Sequence, residues 1–310
     1  MSAPLQARFF KAMGSPCEFK MRTDDAHHFE QMAMTVQEEV LRLERKYSRY
    51  LDDSVLSRIN QAAETCEWIA VDEETRALLA YADVAWKQSD GCFDITSGVL
   101  RHLWDFKSKR LPNPADVSSL LERIGWQNVE LREDALRFLR SGMELDFGGI
   151  VKEYAVDRVV GKISVVSDCS FLISLGGDLA VKNGRDDPRG LPWKIGVTDP
   201  SRKHGAIASI DLNEGAVCSS GDYERCFVID GVRYSHLLDP RTGYPAKGPQ
   251  SVSIKADTCL VAGTLATIAM LMPSSDAIDW LNGQQLAYVL IDESGQISTS
   301  SKSITVADSD

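Results

Sequence analysis

A group of ionisable and hydroxyl side chains lies between Gly215 and Gly248, in the stretch GAVCSSGDYERCFVIDGVRYSHLLDPRTGYPAKG. It holds an imidazole at His236, carboxylates at Asp222 and Asp239, and a guanidinium at Arg241. An imidazole titrates near neutral pH, so His236 is the natural candidate for a general base. Acid–base chemistry on a charged substrate is therefore the first hypothesis for this stretch.

A hairpin is predicted to position these side chains. Arg225 to Ile229 and Val232 to His236 are the two predicted strands, and Asp230-Gly231 between them is the dipeptide that type I′ turns prefer. Ser219 to Asp222 is predicted to be a polar loop before the hairpin. Because a hairpin brings its ends together, one shared rim is expected for five polar residues: Ser220, Asp222, His236, Asp239 and Thr242. Spacing alone describes a simple capped hairpin equally well.

Composition limits the classes of partner and the compartment. The chain has 310 residues and a formal net charge of −11, which argues against a nucleic-acid-binding surface and against attraction to anionic membranes. Its longest apolar runs fall short of a membrane span. Seven cysteines without a CxxC pair indicate reduced thiols rather than disulfides or a zinc site, and hence a cytoplasmic protein.

Hairpins alternate with amphipathic helices along the chain, a pattern typical of an α+β fold. Helices are predicted over Ala26 to Tyr50, Asp72 to Gln88 and Cys259 to Met272, with Asp72 as an N-cap. In the first helix Met34 is assigned to the apolar face and Glu39 to the polar face.

A strand, a Gly-Gly turn and a helix are predicted from Leu145 to Arg158, where Gly148-Gly149 opens the helix. Free N–H groups at such a helix start can bind phosphate. The chain has neither GxxxxGK[ST] nor GxGxxG, so the P-loop and dinucleotide-binding patterns are excluded.

The run SSGDYER, followed by a hairpin and YSHLLDPRTGYP, resembles the signature of the FAD:protein FMN transferase (ApbE) family, TSGDYER…RYSHIIDPRTGYP. LDFGGIVKEYAVD is similar to the family's DLGGIAKGYAVD, and the resemblance extends from about Met13 to Met272. It implies one domain over residues 1–310, built as two intimately packed, interleaved halves of antiparallel sheet backed by helices. This T-fold-like architecture would hold the flavin in the cleft between the halves.

The resemblance also implies an activity: FMN moves from FAD to a threonine hydroxyl of a partner flavoprotein, and AMP is released. His236 is the implied catalytic residue. The implied FAD-binding residues are Met13, Tyr50, Cys92, Phe93, Asp94, Asp146, Lys152, Gly176, Gly177, Asp178, Ser220, Asp222, His236, Leu237, Arg241 and Thr242.

Three of these residues have simpler interpretations that stay open. Met13 is equally an ordinary core residue. Tyr50 could pack with Tyr47 as a pair at a helix end. Asp94 could form an Asx-turn instead of binding a ribose or an amine.

The implied Mg²⁺ site departs from the family pattern. In the family's ADALATA an Asp and the Thr four residues later ligate the cation, and here Thr267 is kept while Gly263 replaces the Asp. Val151 and Thr267 are the implied metal ligands. Glu153 replaces a family Gly, which predicts a tighter helix start. Gly263→Asp is expected to raise activity if the family geometry is intact. The lost ligand makes a non-catalytic FAD- or FMN-binding protein the alternative, and an FAD pyrophosphatase a third hypothesis.

Overall fold

The structure is a computed structural model that describes residues 3–184, 191–200, 205–223, 225–300 and 304–306. The α+β prediction is confirmed: helices combine with sheets in which every described pair of strands is antiparallel. None of the described helices is both long and apolar enough to cross a membrane. The division into two lobes stays a prediction.

The helices are α1 (Ala26–Tyr47), α2 (Val55–Ala62), α3 (Glu73–Gln88), α4 (Pro114–Leu121), α5 (Val151–Val166), α6 (Cys259–Met270) and α7 (Ser274–Gln284). The strands are β1 (Leu5–Ala12), β2 (Ser15–Arg22), β3 (Ile69–Ala70), β4 (Val129–Leu131), β5 (Ala135–Phe138), β6 (Phe171–Leu175), β7 (Asp178–Lys182), β8 (Trp193–Thr198), β9 (Ala206–Leu212), β10 (Glu214–Gly221), β11 (Cys226–Ile229), β12 (Val232–Ser235), β13 (Ser251–Ala256), β14 (Ala287–Ile291), β15 (Ile297–Thr299) and β16 (Ile304–Val306).

An eight-stranded sheet in the order β1-β2-β6-β7-β10-β13-β14-β15 carries both cores. Side chains alternate between its faces, as strand geometry requires. Ile173 and Ala180 belong to the larger core with α1, α5 and α6, whereas their neighbours Leu172 and Val181 pack against the sheet β16-β9-β8. Both faces are covered, which explains why Leu172 and Ile173 of β6 and Ala180 and Val181 of β7 are apolar on either face.

The turn residues explain two of the hairpins. Asp230 and Gly231 have φ values of 50° and 77°, as the predicted type I′ turn requires, and β11 and β12 pair around them. Met13 and Gly14 make a similar turn between β1 and β2, with φ values of 51° and 70°. Asp72 caps α3 as predicted, because its carboxylate accepts the Thr75 N–H.

Several predicted boundaries are wrong, because tertiary contacts override local preference. Helix α1 ends at Tyr47 rather than Tyr50, since Ser48 is extended. Ser219 to Gly221 belong to β10, paired with β13, and are not a loop. The stretch 145–147 approaches the helix without forming a regular strand.

The face assignment within α1 is also wrong at two positions. Met34 is 55% exposed, whereas Glu39 is buried at 2%. Glu39 is satisfied by two cations: Arg42 Nη2 lies 2.9 Å from Oε1, and Lys162 Nζ of α5 lies 2.7 Å from Oε2. The hydrogen bond from Arg42 lowers the pKa of Glu39 to about 2, so its carboxylate fastens α1 to α5.

We expect Glu39→Gln to lower the free energy of unfolding at pH 7 by about 2 kcal/mol, because a charge-assisted buried hydrogen bond is lost. The folded-state pKa lies below the ordinary value of 4.5. The contribution is therefore complete above that pH and declines as the pH falls toward 2. Denaturant unfolding at pH 7 and at lower pH measures this, with exposed Glu38→Gln as the control. A gap between wild type and Glu39→Gln that widens in acid would contradict the assignment.

Candidate functional site

Lys152, in the first turn of α5, is the centre of the largest group of predicted site residues. Its Nζ pairs with the buried Asp178 carboxylate at the start of β7 and lies 3.7 Å from Glu153 Oε1. Burial alone would lower the pKa of Lys152, but the carboxylates of Asp178 and Glu153 outweigh it and raise the pKa. Lys152 is thus a firmly charged cation that is still partly exposed, with 24% of its side chain accessible.

The Gly176-Gly177 turn joins β6 to β7 beside this lysine. Both glycines have positive φ, 61° and 95°, which suits residues without a Cβ. A Cβ on Gly176 would lie 2.8 Å from Ser15 Oγ and 3.8 Å from Lys152 Cδ. At Gly176 the turn therefore approaches both the β1–β2 hairpin and α5.

Hydroxyl groups from β10 and α6 meet next to Asp178. The Ser219 N–H donates to Asp178 Oδ1 at 3.1 Å. Ser220 Oγ and Thr267 Oγ1 are 3.2 Å apart. The structure thus brings Lys152, Asp178, Ser220 and Thr267 together where α5, α6 and β10 adjoin.

His236 follows β12 and donates its backbone N–H to the Arg225 carbonyl at 2.9 Å. Burial, followed by the charge of Arg225, lowers its pKa to about 4, and the charge of Lys152 adds to this. The expectation that this imidazole titrates near neutral pH is therefore wrong. Nδ1 is buried without a hydrogen-bond partner among the described residues. His236 is therefore a neutral imidazole at pH 7.

Aromatic packing fixes the hairpin that leads to His236. Trp104 stacks on Tyr234 with ring centroids 6.1 Å apart and lies 6.5 Å from Phe227. Its indole Nε1–H donates to the Gly243 carbonyl at 2.8 Å. One tryptophan therefore holds both the hairpin and the turn that follows it.

In the turn after the hairpin, the charged groups of Arg241 and Asp239 pair with each other. Arg241 Nε and Nη2 lie 2.9 Å from the two carboxylate oxygens of Asp239. Thr242 Oγ1 accepts the Tyr244 N–H at 3.2 Å. Burial raises the pKa of the Cys92 thiol, and the charge of Arg241 opposes that shift, which places Cys92 close to this turn.

The loop at Cys92 is more buried than a ligand-exposed loop would be. Cys92 and Phe93 are buried, and a Cβ on Gly149 would lie 3.5 Å from the Phe93 ring. Asp94 forms an Asx-turn, the simpler interpretation left open above. Its Oδ1 accepts the Thr96 N–H at 2.8 Å, and its Oδ2 accepts the Trp126 N–H at 2.9 Å. Its carboxylate stabilises the loop.

Asp146 occupies the turn before α5. Its Oδ1 accepts the Gly148 N–H at 2.8 Å, and its other oxygen pairs with Arg49. One N–H that was expected to be free at this helix start is therefore occupied. The Arg49 guanidinium also lies 5.2 Å from the Tyr50 ring centroid.

Tyr50 and Tyr47 do not pack as a pair. Tyr50 is 76% exposed, whereas Tyr47 is buried edge-on against Phe147, 5.4 Å between centroids. Tyr50 is thus an accessible aromatic ring held by Arg49.

The other predicted residues have mainly local contacts. The Met13 N–H donates to Glu44 Oε1 at 2.6 Å, and Met13 and Leu237 pack on the main core. Asp222 pairs with Arg233 at 2.8 Å, so it and Asp239 have separate cationic partners around the predicted rim. The motif residue Glu224 lies outside the described residues.

Sequence reasoning missed two residues at this site. Arg49 lies directly beside Tyr50, but no spacing connects it to Asp146. Glu153 was treated as a change in helix geometry, yet it is a buried carboxylate at 5% exposure beside Lys152. The only signal was that it replaces a glycine of the family pattern.

The oxygen-rich donor set fits a hard cation. Among the described residues no group of three or more His, Cys, Asp or Glu side chains has metal-binding geometry. Glu153 Oε2 is buried without a hydrogen-bond partner in the part of the chain that the structure describes, and Thr267 supplies a hydroxyl from α6. Mg²⁺ uses few carboxylates and completes its shell with water and phosphate oxygens, which suits such a site.

The known proteins that this chain resembles are flavin transferases. Residues 13–290 match the ApbE family. The chain is 33% identical to an FAD:protein FMN transferase of Treponema pallidum over 242 residues, 71% of this chain and 66% of the relative. It is 29% identical to that of Haemophilus influenzae over 257 residues, 79% of this chain and 74% of the relative.

Solved structures agree. The ApbE protein of Thermotoga maritima superposes with a TM-score of 0.86 at 32% identity, covering 96% of this chain and 97% of that one. The flavinyl transferase ApbE of Pseudomonas stutzeri, in its apo form, gives 0.83 at 27% identity, covering 97% and 95%. This chain belongs to the ApbE family.

Proposed function

We propose that this protein transfers FMN from FAD to a threonine hydroxyl of a partner flavoprotein and releases AMP. The observation that carries the proposal is the charged Lys152, paired with Asp178 beside the Gly176-Gly177 turn and electrostatically coupled to a neutral His236. The names of the relatives support the same reaction.

The proposed chemistry is a phosphoryl-type transfer. The threonine oxygen forms a bond to the phosphorus atom on the FMN side of the FAD pyrophosphate, and the bond from that phosphorus to the AMP phosphate breaks. The hydroxyl proton passes to His236 and then to solvent, and AMP leaves with the bridging oxygen. Positioning and charge neutralisation supply most of the rate in such reactions.

Lys152 provides the fixed positive charge for the pyrophosphate in this proposal. Its pairing with Asp178 orients the ammonium group and leaves it partly exposed. Arg241 is already held by both oxygens of Asp239, so its role is to position the turn near Cys92. The exposed Tyr50 is the candidate surface for stacking of a flavin or adenine ring.

A Mg²⁺ ion would be held by the Thr267 hydroxyl and the Val151 carbonyl, as the resemblance implies, and would neutralise charge on the pyrophosphate. The proposed compartment is the cytoplasm, a proposal that the seven cysteines without a CxxC pair support.

Chromatography of the purified protein with FAD tests the proposal. We expect AMP to appear only when Mg²⁺ and an acceptor flavoprotein are both supplied. Intact FAD that co-elutes with the protein under those conditions would favour the non-catalytic binding protein. AMP and free FMN without acceptor would favour the pyrophosphatase.

A further inference from the structure

Helices α5 and α6 touch at Glu153 and Gly263. A Cβ placed on Gly263 would lie 2.5 Å from Glu153 Cγ and 3.2 Å from Cδ and Oε1. Distances under 3.0 Å require something to move. The Glu153 side chain therefore occupies the space into which a side chain at position 263 would project.

The two family departures compensate each other at this contact. A carboxylate is lost from α6, where Gly263 replaces an Asp, and one is gained on α5, where Glu153 replaces a Gly. The number of carboxylates stays the same, and the carboxyl group crosses from one helix to the other. Such an exchange requires a long side chain on one helix opposite a residue without a side chain on the other, as at Glu153 and Gly263.

The Glu153 carboxyl group is buried and only partly satisfied by protein groups. Its exposure is 5%, Oε2 has no hydrogen-bond partner among the described residues, and Oε1 is 3.7 Å from Lys152 Nζ. An unsatisfied buried carboxylate costs several kcal/mol. A divalent cation would remove this cost.

Other hard oxygen atoms lie around the same gap. Thr267 is one helical turn beyond Gly263 and so lies on the same face of α6, and its hydroxyl meets Ser220 at 3.2 Å. The Lys152–Asp178 pair closes the α5 side.

We propose that Glu153 is the carboxylate ligand of the divalent cation in this protein, in place of an aspartate at position 263. The proposal deepens the proposed function and rests on it for the role of the cation. The metal site is thus relocated between helices, with Thr267 kept, rather than lost.

Metal binding tests this directly, without turnover. Mn²⁺ binding is measured by electron paramagnetic resonance on the full-length protein with ADP, which carries a pyrophosphate but no flavin. We expect Glu153→Gln to weaken Mn²⁺ binding at least tenfold, in line with loss of a charged ligand. The exposed Glu38→Gln removes the same charge far from the site and should bind Mn²⁺ like wild type.

The unfolding midpoint without metal separates ligand loss from misfolding. Glu153→Gln should be at least as stable as wild type, because a buried charge is removed. Mn²⁺ binding by Glu153→Gln equal to wild type, or no binding by wild type, would overturn the inference. Loss of Mn²⁺ binding in Glu153→Gln but not in wild type would support the metal site even if wild type released no AMP with acceptor. In that case the metal site would stand and the proposed transferase activity would be rejected.

Discussion

Gly263→Asp is expected to inactivate the protein, and Glu153→Gly combined with Gly263→Asp to restore it. In the single variant two carboxylates compete for one buried gap, with the new Cβ 2.5 Å from Glu153 Cγ. Overpacking and the second buried charge should destabilise the fold by about 2–4 kcal/mol. This replaces the sequence-based expectation that Gly263→Asp alone raises activity.

Glu153→Gly alone should lower the rate of AMP release roughly 100-fold, since the cation loses its carboxylate and several kcal/mol of charge stabilisation. The double variant returns one carboxylate to the gap from the α6 side, and we expect a rate within about tenfold of wild type. The four proteins form a double-mutant cycle whose coupling is large because the residues are in contact.

The cycle is measured by AMP release with FAD, Mg²⁺ and acceptor, together with thermal unfolding of each variant. Additive losses in the double variant would contradict the account, because independent positions cannot rescue each other. Thermal unfolding identifies any variant whose rate falls through loss of the folded state.

His236→Asn is expected to lower kcat by roughly 10²–10⁴-fold, the usual contribution of a positioned general base. The imidazole is neutral, with a pKa of about 4, and its Nδ1 has no partner among the described residues. The asparagine side chain keeps a polar group at the position but cannot accept and carry the threonine proton. Single-turnover AMP release measures the effect.

FAD binding separates a base from a binding residue. The dissociation constant for FAD should change only a few-fold in His236→Asn, and the exposed His27→Asn should match wild type in both measurements. A variant that binds FAD weakly but turns over normally at saturation would assign His236 to binding and leave the base unidentified.

Local chemistry decided the parts of the fold that were predicted well. A type I′ turn requires two positive φ angles, which Asp230-Gly231 accommodates, and Asp72 can cap only the helix that follows it. These features depend on residues that are neighbours in the chain.

Distant contacts decided the parts that were missed. Glu39 has the periodicity of an exposed residue, but Lys162 of α5 and Arg42 make its burial favourable. Ser219 to Gly221 are polar, yet pairing with β13 extends β10 through them. No pattern within either segment contains this information.

The site residues also divide into those that the sequence could identify and those that depend on distant contacts. The resemblance identified Lys152, Asp178 and Thr267, which the structure places near one another. It could not identify Glu153 as a ligand, because that role depends on how closely α5 approaches Gly263. Taken separately, the substitutions at positions 153 and 263 predict a metal site that has lost a ligand. Because the two positions are in contact across α5 and α6, we instead predict that the carboxylate ligand has moved from α6 to α5.

The stoichiometry of AMP release and acceptor modification tests FMN transfer directly. Purified protein is incubated with FAD, Mg²⁺ and an acceptor flavoprotein, AMP is quantified by chromatography, and the acceptor is analysed by mass spectrometry. We predict one AMP released for each acceptor threonine that gains FMN, and no flavin on an acceptor whose target threonine is replaced by valine. AMP released with the acceptor unmodified, or FAD left intact throughout, would contradict FMN transfer.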